Sequence, residues 1–148
     1  MFQGETAITI DDKGRLAIPV AFRDVVARDC GNRLVLTYNP FDQGSLYLYP
    51  EAGWQAVRDQ IVALSPFTPE HRVLQRMLVG AATPLEPDSA GRVLLPPSMR
   101  STAGLEKKAV LMGMGTRLEL WSEQAHLAQM RQTIGSAGVS AAMQDLRL

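Results

Sequence analysis

DDKGRLAIP (residues 11–19) and DSAGRVLLP (residues 88–96) write one pattern twice in a chain of 148 residues: Asp, two variable positions, Gly-Arg, an apolar triplet and Pro. Laying Asp11 on Asp88 also lays Gly14 on Gly91, Arg15 on Arg92, Pro19 on Pro96 and Arg23 on Arg100. Further along, RLVLTYN (33–39) matches KAVLMGM (108–114), and SLYLYPE (45–51) matches RLELWSE (117–123). Three matches in the same order indicate an internal duplication, with copies near 5–52 and 82–126.

Each copy reads locally as strand, turn, strand, short helix, strand, strand. ETAITI alternates Thr with apolar residues, as a half-buried strand does. DDKG is a turn, with Asp at its start and Gly where the backbone goes left-handed. RLAIP resumes as a strand and stops at Pro19, which lacks the N–H a sheet needs but opens a helix well. VAFRDVVARD sets Val20, Phe22, Val25 and Val26 beside charged residues, a short amphipathic helix that Gly31 is placed to end. RLVLTYN and SLYLYPE are strands on either side of the polar turn NPFDQG. A unit of ~45 residues without disulfide or metal has too much surface for its core. Two units must therefore share one core, each supplying half of it.

Between the copies (53–81) the pattern turns helical. Trp54, Val57, Ile61 and Leu64 recur at helical spacing. SPFTPEHRVLQRMLVG opens with Thr68 as N-cap and Pro69 at the first helical position, and Val73, Leu74, Met77 and Leu78 are expected to face inward. The two helices form an antiparallel hairpin. After the second copy, SEQAHLAQMRQTI reads as one more helix, followed by a tail rich in small residues that ends at Leu148 (127–148 as a segment). The expected class is α+β, mainly β: two β-barrel halves related by a pseudo-twofold, with a helical hairpin insert and a C-terminal helix.

Composition narrows the function. Fifteen basic residues balance fifteen acidic ones, so the whole surface is no polyelectrolyte; a local basic face is made by geometry. The N-terminal MFQGETAITI lacks the basic-then-apolar order of a secretory signal, and no apolar run is long enough to span a bilayer. Cys30 is the only cysteine, and His71 and His126 stand far apart, so a cytoplasmic protein without metal or other cofactor is expected. Duplicated halves that each carry an Asp also raise the aspartic-protease dyad. That chemistry needs Asp-Thr/Ser-Gly; DDKG fails it, DSAG only grazes it, and an Arg four residues on lowers each carboxyl's pKa, the wrong direction for the acid of a dyad. No nucleophile has a base at a recognisable spacing, so no catalytic residue is assigned and no enzyme activity is expected.

DDKGRLAIP with its short Arg-bearing helix resembles the swapped-hairpin module of AbrB/SpoVT-type DNA-binding proteins. Two such copies, joined by a helical hairpin carrying EHRVLQRMLVG and closed by MQDLRL, resemble the MraZ family over essentially the whole chain. The resemblance implies two intertwined AbrB-like halves in one chain. It implies a sequence-specific, double-stranded-DNA-binding regulator, such as a repressor, of a division and cell-wall gene cluster that includes its own gene, acting at short direct repeats in the promoter. It further implies self-association into a ring and a nucleoid location, with no membrane and no small-molecule ligand.

The residues suited to that work are the turn arginines Arg15 and Arg92, whose forks match phosphate oxygens or guanine O6/N7. Lys13 adds a point charge, matched only by Ala90 in the second copy, and Arg23 and Arg100 extend the basic face from the short helices. Asp11, Gly14, Asp88 and Gly91 support the turns. Ion pairs from Asp11 to Arg15 and from Asp88 to Arg92 also serve to pin the turns, and the two roles coexist. Arg72 and Arg76 belong to a solvated face, while Trp54 and Trp121 are expected in core or interface. The alternative from another class is a ring-forming protein-interaction module in which DNA contact is secondary.

Overall fold

The structure, a computed structural model, describes residues 1–148. The first copy runs through β1 (Phe2–Thr9), β2 (Arg15–Ala17), α1 (Val20–Asp29), β3 (Leu34–Tyr38) and β4 (Ser45–Pro50). The insert holds α2 (Glu51–Val62) and α3 (Pro69–Leu74), the latter running into a π-helical stretch, Gln75–Gly80. The second copy repeats the order as β5 (Thr83–Leu85), β6 (Arg92–Leu94), α4 (Pro97–Thr102), β7 (Lys108–Gly115) and β8 (Leu118–Ser122). Helices α5 (Glu123–Met130) and α6 (Ala141–Gln144) follow.

The copies exchange strands. In the six-stranded antiparallel sheet, ordered β1-β7-β8-β4-β3-β5, the first strand of each copy pairs with the third strand of the other. The fourth strands meet at the centre, where Tyr47 faces its own repeat equivalent, Glu119. A separate ribbon joins β2 to β6, and there Leu16 faces its equivalent, Val93. Both ladders are thus centred on one local twofold. Expected barrel halves appear as this open sheet plus a ribbon: β2, β5 and β6 are three residues each, too short to link the sheet edges into a closed ring.

One core lies between sheet and ribbon and draws on both copies. Leu16, Ile18, Phe22 and Val26 pack with their equivalents Val93, Leu95, Met99 and Ala103, together with the inward-facing Leu34, Leu36, Leu46, Leu48, Leu111, Leu118 and Leu120. Pro19 and Pro96 stand immediately before α1 and α4, as the pattern requires. β1 begins earlier than the expected residue 5, because Phe2 closes the core edge-on against Phe22 at 6.1 Å.

A second, smaller cluster covers the other sheet face: Val35, Tyr47, Tyr49, Trp54, Ile61 and Leu78. Here the hairpin helix departs from expectation. Thr68 occupies the N-cap position without a side-chain cap bond, and Val73 is exposed. Of the four residues expected to face inward, Leu78 is buried and Leu74 and Met77 are half-buried, and only Val73, which precedes the π-helical stretch, is exposed. The Thr37 hydroxyl reaches the carbonyls of Met77 (2.9 Å) and Leu78 (2.7 Å) at the end of that stretch, where helical carbonyls run out of partners. Past Met130 the chain leaves the body; Ile134, Leu146 and Leu148 are exposed. No helix is long and apolar enough to cross a membrane.

Candidate nucleic-acid interface

The two Asp-x-x-Gly-Arg turns are the same structure built twice. In the first, Asp11 Oδ1 accepts from the backbone N–H of Lys13 and of Arg15, both at 2.9 Å, and Oδ2 accepts from Arg15 Nε at 2.8 Å. In the second, Asp88 Oδ1 accepts from the N–H groups of Ala90 and Arg92 at 2.9 Å, and Oδ2 from Arg92 Nε at 3.1 Å. The backbone closes each loop identically: Gly14 N–H donates to the Asp11 carbonyl and Gly91 N–H to that of Asp88. The glycines have φ of 85° and 73°, a region costly for any residue with a Cβ. Hydrogen bonding holds both aspartate carboxyls below their ordinary pKa of 3.8, the Arg15 or Arg92 backbone N–H being the first cause.

The consequence for the arginines is geometric. Each carboxylate engages Nε and leaves both terminal amino groups of its fork without a protein partner. Arg15 and Arg92 are half-exposed, and they project from the face of the ribbon opposite the buried Leu16 and Val93. The aspartates therefore pin the turns and aim the guanidinium groups at once. Lys13 is exposed at the tip of the first turn; Ala90 stands in its place in the second.

The turns are clamped across the twofold. Ile18 N–H donates to the Gly91 carbonyl (2.8 Å), and its equivalent Leu95 N–H to the Gly14 carbonyl (2.9 Å). Arg23 lies against Gly91, so the first copy's helix supports the second copy's turn; Arg100 lies against Gly14 and does the reverse. The two differ in their bonding. Arg23 donates through Nε (3.2 Å) and Nη2 (2.9 Å) to the Ile18 carbonyl, whereas Arg100 makes no side-chain hydrogen bond. Arg15, Arg92, Arg23, Arg100 and Lys13 thus come together around one ribbon, although they are spread over most of the chain.

Arg72 and Arg76 stand apart on the exposed side of the hairpin. Trp54 and Trp121 are buried, with Trp121 Nε1 donating to Glu119 Oε1 at 3.1 Å. One ribbon residue escaped the motif reading: Leu94 is 55% exposed beside Arg15. Strict alternation along Arg-Val-Leu, with Val93 inward, is the signal that points it outward.

The family model described as "MraZ protein, putative antitoxin-like" matches residues 1–77 and again residues 78–146. The chain belongs to the MraZ family. Curated relatives named "Transcriptional regulator MraZ" include one from Xanthomonas campestris pv. campestris (strain 8004), 55% identical over all of both chains. Another, from Stenotrophomonas maltophilia, is 54% identical over all of both chains. A more distant one, from Nitrosospira multiformis, is 40% identical over 90% of each. The two matches meet within the π-helical stretch, so the first takes in α2 and α3 and the second takes in α5 and α6.

Proposed function

We propose that this chain is a transcription regulator that binds double-stranded DNA sequence-specifically through the outer face of the β2–β6 ribbon and its two turns. The observation that carries this reading is the duplicated turn, in which Asp11 and Asp88 hold Nε of Arg15 and Arg92 and leave the outer donors free on a solvent-facing ribbon. A two-stranded ribbon fits the width of a major groove, and a free arginine fork suits phosphate or guanine O6/N7. Lys13 and Arg100 add phosphate contacts, and Arg23 contributes through the amino group that Ile18 leaves unused. The relatives' printed name supports regulation of transcription.

With no net charge, the chain relies on this local patch, and affinity per subunit is modest. Self-association into a ring on short direct repeats raises the total by ~10²–10⁴ through effective concentration. The target in this reading is the promoter of the division and cell-wall gene cluster that holds the chain's own gene, and the protein is cytoplasmic and nucleoid-associated. The test is a gel-shift titration on the DNA upstream of that gene at several salt concentrations. Arg15→Ala/Arg92→Ala, checked first for unchanged assembly size, is expected to abolish the shift that wild type gives. Equal binding by both proteins overturns the ribbon as the contact face.

A second reading is a ring-forming protein-interaction module. It is favoured by the apolar side chains exposed along α5 and the tail: Leu127, Met130, Ile134 and Leu146. It takes first place if wild type fails to bind the upstream DNA at any salt concentration.

A further inference from the structure

The twofold of the ribbon is broken, and apart from Asp12, which stands where the second turn has Ser89, the breaks fall in one direction. At the first turn stand Lys13, Arg15, Leu94 across the ladder from Arg15, and the unbonded Arg100 against Gly14. The Leu94 side chain reaches the same glycine, its Cδ1 3.9 Å from where a Cβ would lie. At the second turn the matching positions hold Ala90, Arg92, Ala17 across from Arg92, and Arg23 tied to the Ile18 carbonyl. Three of the four pairs differ, and the longer or freer side chain is at the first turn each time. The exposed Asp12 offsets the charge of Lys13 at a distance, so the imbalance lies in contacts and not in field.

We infer that the ribbon binds DNA with a fixed polarity, Arg15 and Leu94 at its first-turn end reading bases between phosphates held by Lys13 and Arg100, and its Ala90–Arg92 end holding the backbone alone. This inference rests on the DNA-binding reading above and adds the specificity of that site. Leu94 is exposed, apolar and flanked by cations, and the apolar feature of a major-groove edge is the thymine C5-methyl group. The half-site therefore lacks dyad symmetry and places a thymine opposite Leu94, whereas Ala17, the equivalent of Leu94, is too short to make that contact from the other end.

The test uses the full-length protein with Cys30→Ser and Ser89→Cys. An iron chelate attached at position 89 cuts nearby DNA by hydroxyl radicals, once the labelled protein is shown to shift the upstream duplex as wild type does. Cuts are expected on one side only of each protected stretch. Exchanging the ends (Lys13→Ala, Ala90→Lys, Ala17→Leu, Leu94→Ala) moves the cuts to the opposite side, and levelling them with Lys13→Ala/Leu94→Ala gives cuts on both. Independently, replacing thymine with deoxyuridine throughout the duplex removes the methyl groups. It weakens wild type by about fourfold, one buried methyl's worth, and leaves Leu94→Ala unaffected. Two-sided cutting by the labelled parent protein, or equal sensitivity of wild type and Leu94→Ala to deoxyuridine, overturns the inference while the DNA reading survives. One-sided cutting that ignores the exchange overturns the assignment to these residues. Absence of any salt-dependent shift by wild type removes the DNA reading itself.

Discussion

At the scale of single residues, the turns depend on two aspartates and two glycines. Asp11→Ala/Asp88→Ala removes the acceptor that holds each Nε, so the arginine forks lose their aim while their charge stays. DNA affinity is expected to fall and the salt dependence to persist, in contrast to the arginine double variant, which loses both; gel shifts at two salt concentrations separate the cases. The carboxyls have pKa values below 3.8 in the folded protein, so their contribution is present above about pH 4 and lost as pH falls through the lowered values. Amide resonances of Lys13 and Ala90, which donate to these carboxylates, report that loss in an acid titration. Gly91→Ala costs about 1–2 kcal/mol for its left-handed backbone. It costs more than Gly14→Ala, because the new Cβ meets the tethered Arg23 instead of the untethered Arg100. Thermal denaturation of the pair measures the difference.

At the scale of elements, the central β4–β8 pair carries a polar cluster on the side away from the main core. Arg117 donates to the buried Glu119 at 2.7 Å, Glu119 also accepts from Trp121, and the guanidinium lies 4.3 Å above the Tyr47 ring. Arg117→Ala leaves a buried carboxylate with only the indole as partner and is expected to cost about 1–3 kcal/mol. Arg117→Met/Glu119→Gln recovers most of that loss, since neither charge is then buried and the amide oxygen still accepts from the Trp121 indole; urea denaturation of the two variants makes the comparison. Burial pushes the Tyr47 hydroxyl up to about 12, with Arg117 pulling it part of the way back. A raised phenol pKa favours the fold below its ordinary value near 10 and ceases to do so as pH climbs toward 12. Tyr47→Phe is expected to flatten that alkaline loss of stability.

At the scale of the whole molecule, strand exchange makes the halves interdependent. β1 has its only strand partner in the second copy and β5 has its only one in the first, while the core is shared between the copies. Residues 1–77 or 78–148 alone are expected to lack cooperative unfolding and to regain it when mixed; circular dichroism of the fragments and their mixture tests this. Much of this organisation was legible in the sequence. The doubled Asp-x-x-Gly-Arg motif named the turns, the duplication named the shared core, and Pro19 and Pro96 marked the helix starts. These signals are local: hydrogen bonds within a few residues and periodic burial write themselves into adjacent positions. Which strand pairs with which was not legible, because register depends on contacts between residues far apart in the chain. The sequence also left open the exposure of Val73 and the differing bonds of Arg23 and Arg100, because a shared pattern does not say which of its side chains finds a neighbour to cover it or to accept from it. The sequence alone determined that two equivalent arginine turns exist. Tertiary structure decided that they flank one ribbon and that its two ends differ, because only strand pairing brings Leu94 beside Arg15 and Ala17 beside Arg92, residues far apart in the chain.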